Sequence, residues 1–396
     1  MTYDVRAVRS QFPALAEGLA HFDSPGGTQV PEAVAVAVGE AYRSAVSNRH
    51  GSFASSARAD GIVDAARGAV ADLLGADPRG VILGQSMTAN TYLLAGALAK
   101  TWGPGDEVVV SRLDHDANVR PWVQAAARVG ATVRWADVDP LTCELPAAQY
   151  DELVTDRTRL VAVTAASNAT GTRPEVAAIA ERAHAVGALV HVDGVHATPH
   201  GPVDLGALGA DLYACSAYKW YGPHLGVTVA DPALLEGLHP DKLLPSSEQV
   251  PDRFELGTGA FAQYVAVTAA VDWLAGLGVG GTRRERLVDA MTQLAAHEAG
   301  VFERLMTGLQ AREDVQLLGD PARRTPTVAF TVAGRTPQQV AAHLGAAGVA
   351  VWAGDYYAVE LMRAVGLADT GGAVRAGVAG YTCADDVDRL LAALAT

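Results

Sequence analysis

Asp211-Leu-Tyr-Ala-Cys-Ser-Ala-Tyr-Lys219-Trp-Tyr-Gly-Pro-His224 is the stretch that decides how this chain is read. Leu212 to Cys215 is a short apolar run with strand character; Ser216 follows, and a lone lysine then stands among aromatics. Gly222 and Pro223 close the segment as a turn. A lysine at a strand end, packed between Tyr218 and Trp220, is partly desolvated. Desolvation disfavours its charged form and frees the amine to act as a nucleophile. The plain alternative is a surface lysine whose stem runs past aromatic rings.

A second stretch weighs against that alternative. Leu189-Val-His-Val-Asp193-Gly-Val-His196 is a β-branched strand ending in an acid, a glycine and a histidine. The acid precedes the lysine by 26 residues, room for one βα crossover unit. On neighbouring strands, a strand-end carboxylate and a strand-end amine can face one ligand. Pyridoxal phosphate (PLP) asks for that pair. A lysine carries its aldehyde, and a carboxylate keeps its pyridine nitrogen protonated so that the ring draws electrons from a substrate's Cα.

Composition bounds the rest. At 396 residues the chain can hold two domains with real cores. It is 49% hydrophobic and 19% charged, a globular composition. The formal charge of −14 argues against nucleic acid or an anionic membrane as partner. Cys143, Cys215 and Cys383 are three, widely spaced and without a CxxC, so neither a disulfide framework nor a structural zinc is expected. Cys215 reads as a packed core thiol. The N-terminus lacks a basic and apolar leader, and no long uncharged apolar run occurs, so a cytoplasmic location is expected.

Along the chain a helix over 4–16 precedes a loop with Phe22-Asp-Ser-Pro-Gly-Gly27, then helices over 32–46 and 57–74. From residue 80, strands over 81–83, 107–111, 133–138, 160–166, 190–193, 212–215 and 227–229 alternate with helices over 88–102, 117–129 and 175–186. That alternation predicts an α/β domain with a mostly parallel seven-stranded sheet between helices. Ligands of such sheets sit at the carboxyl ends of the strands. After Gly280-Gly281, a long helix over 283–310, kinked near Gly300, opens a small α+β domain. Strands over 327–332, 349–352 and 374–378 and helices over 337–347 and 384–394 complete it. The expected division is 18–270 for the large domain, and 1–17 with 271–396 for the small one.

Other strand ends add candidates. Leu83-Gly-Gln85-Ser86-Met-Thr88 joins a strand to a helix whose N-terminus can seat a phosphate, or is simply capped. His115, in Asp114-His115-Asp116-Ala-Asn118, can stack on a flat ring, or is a loop histidine bonded to an aspartate. Asn168, in Ser167-Asn168-Ala-Thr-Gly171, can donate to a ring hydroxyl, or bonds its own turn. Arg375 lies within an apolar strand, where its fixed fork suits a substrate carboxylate. His191, Asp193, His196 and His200 raise a metal site, but match no zinc spacing such as HExxH.

Taken together and in order, these motifs make the chain resemble the class V aminotransferase and cysteine desulfurase family of PLP enzymes, nearly end to end. The resemblance rests on Val192-Asp193-Gly-Val-His196 and Ser216-Ala-Tyr-Lys219-Trp-Tyr-Gly-Pro223, supported by Asp114–Asn118, Ser167–Gly171, Glu255-Leu-Gly-Thr258 and Val374-Arg375-Ala-Gly. It implies PLP fold type I, with Lys219 as the PLP lysine and proton shuttle, Asp193 on the pyridine nitrogen and His115 on the ring face. It further implies Asn168 and His196 near the ring hydroxyl, Ser86, Ser216 and Tyr218 at the phosphate, and Gln85 among the cofactor-binding residues. Thr258 would reach the site of a second copy, implying a homodimer, and Arg375 would bind the substrate carboxylate. Many relatives carry glutamine where His196 stands.

One departure bears on chemistry. Some desulfurases of this family carry a loop of the type Arg-Thr-Gly-His-His-Cys, whose cysteine takes the sulfur. Here the stretch is Trp352-Ala-Gly354-Asp-Tyr-Tyr357, so Tyr357 stands for the cysteine and Trp352 for the arginine. The ordinary persulfide route lacks its thiolate. The expectation is a C–S (β-eliminating) lyase acting on an amino acid, with Trp352, Tyr356 and Tyr357 shaping specificity. An aminotransferase or epimerase of the same family is the alternative. A metal-dependent hydrolase or a PLP-free scaffold is the alternative of another class.

Overall fold

The computed structural model describes residues 3–396. Its centre is a seven-stranded sheet. In chain order, after a short β1 (Ala20–His21), the strands are β2 (Val81–Gly84), β3 (Glu107–Ser111), β4 (Thr132–Ala136), β5 (Thr158–Thr164), β6 (Leu189–Asp193), β7 (Leu212–Ser216) and β8 (Gly226–Ala230). Their spatial order is β2-β8-β7-β6-β5-β3-β4. Only β8 runs antiparallel to its neighbours, so the sheet is mostly parallel, as the alternation predicts. Val- and Ala-rich strands buried along nearly their whole length pack helices on both faces, in two apolar clusters.

The smaller sheet is antiparallel. It contains β9 (Val315–Leu317), β10 (Thr327–Val332), β12 (Trp352–Gly354) and β13 (Ala373–Gly377), in the order β12-β13-β10-β9, with its own core. Between β10 and β12, β11 (Val349–Ala350) pairs in parallel with β1. The single strand expected over 349–352 is thus two strands that serve different sheets. The long helix Arg283–Gln310 starts at a capping box of Thr282 and Glu285 and runs unbroken past Gly300, where a kink is expected.

A helix that periodicity does not reveal spans Phe261–Gly276. It is apolar almost all round and packs on the helices Glu32–Arg43 and Ala54–Leu74 on one side and on Arg283–Gln310 on another. Buried on several faces, it has no polar stripe to betray it. The expected boundary after residue 270 falls inside this helix. The helix expected over 4–16 is two short pieces, Val5–Arg9 and Pro13–Glu17.

Candidate active site

Strands β6 and β7 run parallel, with Asp193 opposite Ala214. Past Ser216 the chain turns through one tight 3₁₀ turn, Ala217–Lys219, and that turn delivers the lysine. Lys219 is 7% exposed. Its Nζ donates to the carbonyl of Pro25 and lies 5.4 Å from the centroid of the Tyr218 ring. Burial, then the charge of Arg375, pull its pKa down to about 7, against the attraction of Asp193. Trp220, expected to flank the amine, is instead buried in the main core. The other lysines, Lys100 and Lys242, are tied to Asp241 and Glu248.

Asp193 is also buried, and its Oδ1 accepts from the Val195 N–H at 2.9 Å. Burial raises its pKa to about 6, with the Val195 N–H and Lys219 opposing. Lys219 and Asp193 line one cavity together with Ser86, Thr164, Asn168, His196 and Ser216. At one end of it Ser86 caps the helix Met87–Leu98, its Oγ accepting from the Ala89 N–H at 3.1 Å. Strand β8 passes so close that a Cβ at Gly226 would sit 2.0 Å from the Ser86 carbonyl carbon. Gln85 does not join this cavity. It is exposed and lines a different one, with Thr258. Ser86 is extended while Gln85 lies in the bend before it, and the two side chains open onto different cavities.

His115 covers another wall. Its Nδ1 accepts from the Ala117 N–H at 3.0 Å, which leaves the proton of the neutral ring on Nε2. Burial, then the charges of Lys219 and Arg375, push its pKa down to about 4. Two buried polar atoms of residues lining the cavity lack partners. Asn168 donates through Nδ2 to the Tyr356 carbonyl at 2.9 Å, while its Oδ1 has none. His196 shares Nε2 with Thr327 Oγ1 at 3.0 Å, while its Nδ1 has none. Orphaned buried atoms of this kind call for a polar ligand.

A second chamber opens from the first, sharing His115, Asn168, Tyr218 and Lys219. Arg375 sits there on β13, 4% exposed, with Nη1 donating to the Asn168 carbonyl at 2.9 Å and Nε unpartnered. Burial lowers its pKa to about 10, and among the described residues no carboxylate pairs with it. Tyr356 and Tyr357, both at positive φ (55° and 58°), form the loop above it. Tyr357 stacks on His115, with centroids 5.4 Å apart and planes 27° apart. No cysteine lines either chamber: Cys143 and Cys215 are buried elsewhere, and Cys383 bonds Asp386 in a helix cap.

The remaining histidines are dispersed. His191 bonds Asn118 at 2.7 Å and His200 bonds Glu298 at 2.8 Å. Among the described residues no three His, Cys, Asp or Glu side chains gather as metal ligands. Sequence reasoning missed Pro25 and Gly26, which the loop 22–27 brings against Lys219 and Trp352. The paired glycines were the signal for a close approach.

The donor set fits a phosphorylated pyridine aldehyde. A reactive amine and a carboxylate share one cavity with a capped helix N-terminus, a flat imidazole wall and unsatisfied polar atoms. Comparison with known proteins agrees. The family model for class-V aminotransferases matches residues 20–390. An uncharacterized protein of Mycobacterium tuberculosis is 39% identical over 399 residues, covering 100% of both chains. A probable cysteine desulfurase of Pseudomonas aeruginosa is 35% identical, covering 98% of this chain and 96% of its own. The cysteine desulfurase CsdA of Escherichia coli has a similar structure, with a TM-score of 0.88 and 29% identity, covering 100% of this chain and 98% of its own.

Proposed function

Because this chain belongs to the class V aminotransferase family, we propose that it works as a cysteine desulfurase-like C–S lyase that cleaves the Cβ–S bond of an amino acid. It is a PLP-dependent enzyme of fold type I. The observation that carries the reading is the pairing of two chambers. One holds Lys219 and Asp193, and the other holds a buried guanidinium that, among the described residues, forms no salt bridge with a carboxylate. An amino acid bridging them puts its carboxylate on Arg375 and its Cα beside Lys219.

Bound PLP supplies an electron sink for charge developing at Cα. Lys219 would hold the aldehyde, and its amine would move the Cα proton; its lowered pKa keeps a good share of the amine neutral near pH 7. Asp193 keeps the pyridine nitrogen protonated, and His115 covers the ring face. Asn168 and His196 take the ring hydroxyl side with their unpartnered atoms. Ser86, Ser216 and Tyr218 hold the phosphate. Arg375 binds the carboxylate bidentately. Tyr357, in place of a thiol, offers no sulfur acceptor, so sulfur leaves to solution rather than to the protein.

The wider assembly follows the same reading. Leu243, Leu244 and Leu256 are exposed near Thr258, and Leu244 is 96% exposed. This exposed apolar surface, which a second copy would bury, supports a homodimer in which Thr258 reaches the neighbouring site. The division we favour lies after Gly276, where the apolar helix ends, with the small domain beginning at the helix Arg283–Gln310. No helix among the described residues is long and apolar enough to cross a membrane, and the three cysteines are unpaired, which supports a cytoplasmic location. The test is an amino-acid panel assayed for thiol or sulfide, pyruvate, ammonia, keto acid and racemised product. Sulfur release with pyruvate supports the lyase; keto acid or racemisation alone replaces it.

A further inference from the structure

The chamber in front of Lys219 carries information about the group attached to sulfur. Trp352 lies directly opposite Arg375 in the β12–β13 ladder, so the two side chains share a face. The indole rests on the loop at Gly26, where an added Cβ would come within 2.6 Å of Trp352 Nε1. Across the chamber Tyr357 is fixed by its stack on His115. Both rings are large and apolar, yet 54% and 70% exposed. Tyr356 and Tyr357 hold left-handed backbone that a side chain of this size rarely adopts. Such strain persists where the placement of the side chains is used.

Three charged side chains line the chamber, Arg375, Lys219 and Asp355. Arg375 takes the α-carboxylate, Lys219 faces Cα, and Asp355 Oδ1 is engaged by the Tyr357 N–H at 2.9 Å. Among the described residues that line the chamber there is neither a second cation for a distal carboxylate nor a thiol to accept sulfur. Trp352, Tyr356 and Tyr357 are the large side chains of the mouth, beside the small Pro25, Gly26, Ala353 and Gly354.

We propose that the substrate is an S-substituted cysteine whose sulfur bears an apolar or aromatic group, held between Trp352 and Tyr357. This deepens the lyase reading and rests on it. A proton leaves Cα, and the Cβ–S bond breaks with its electron pair going to sulfur. The sulfur takes a proton and departs as a free thiol. Water then hydrolyses the three-carbon remainder to pyruvate and ammonia. No oxidant, reductant or persulfide acceptor is consumed, which suits a site without a cysteine.

The test compares S-benzyl-L-cysteine, S-methyl-L-cysteine and L-cysteine with the PLP-loaded protein. Thiol or sulfide and pyruvate are measured, and binding is read separately from the visible absorption of the bound cofactor. kcat/KM for the benzyl compound should exceed that for cysteine at least about tenfold. Trp352→Ala should lower it about tenfold and weaken binding of the benzyl compound alike, while the methyl compound changes within about threefold. Cysteine as the best substrate, or an equal loss on all three in Trp352→Ala, overturns the substrate class alone. A visible band that none of the three amino acids moves overturns the lyase reading beneath it as well.

Discussion

The guanidinium of Arg375 lies over the ring of Tyr356, 4.4 Å from its centroid, and among the described residues no carboxylate forms a salt bridge with it, Asp23 acting only at longer range. A buried cation kept without a partner is costly unless a ligand supplies the anion. Arg375→Gln should therefore raise KM for an amino-acid substrate roughly ten- to hundredfold, the worth of a charged hydrogen-bonded contact. The bound cofactor's visible band should be retained. Arg375→Lys should recover only part of the loss, because an ammonium cannot fork onto a carboxylate. An unchanged KM in Arg375→Gln places the carboxylate elsewhere.

Lys219 supplies a pH prediction. Its pKa is lowered to about 7, so below that value the amine is mostly charged and does not attack an aldehyde. Stripped of cofactor, the protein should take up free PLP faster as pH rises through about 7, then level off. Arg375→Gln should move that midpoint upward, because a neighbouring positive charge that disfavours the ammonium is gone. Uptake that keeps accelerating toward the ordinary lysine value of 10.5 contradicts the desolvated amine.

Asp193→Asn keeps the shape and removes the charge. The protein should still bind PLP, more weakly, and kcat should fall at least about a hundredfold, as when one aimed electrostatic group is lost. Near-normal kcat counts against a pyridine kept protonated by this residue.

Gly26→Ala forces a methyl group to within 2.6 Å of Trp352 Nε1, so the indole must leave its place. Gly26 does not line the cavity that holds Asp193, and the Pro25 carbonyl that accepts from Lys219 is kept. Cofactor affinity should stay within about twofold, while kcat/KM for a bulky substrate falls about tenfold, the scale of one misfit in an apolar pocket. Equal turnover in both proteins removes Trp352 from the site.

Alternation of apolar strands with helices made the large sheet and its strand-end site legible from residues alone. Lys219 and Asp193 needed only their place at the ends of β7 and β6. The helix Phe261–Gly276 escaped because burial on several sides erases the polar stripe that marks a surface helix. Gln85 reads as a cofactor contact beside Ser86, since spacing alone does not say which of two adjacent residues opens onto the lysine's cavity. The stack of Tyr357 on His115 joins segments far apart in sequence, and only the packing of the small domain against the large one brings them together.

The most direct measurement uses the small number of amines. The chain has three lysines, Lys100, Lys219 and Lys242, and only Lys219 is buried. Borohydride reduction of the PLP-loaded protein, followed by peptide mass spectrometry, should find the pyridoxyl phosphate group on Lys219 alone, with Lys219→Ala colourless and unlabelled. A label on Lys100 or Lys242 in place of Lys219, or a coloured Lys219→Ala protein, would contradict the account.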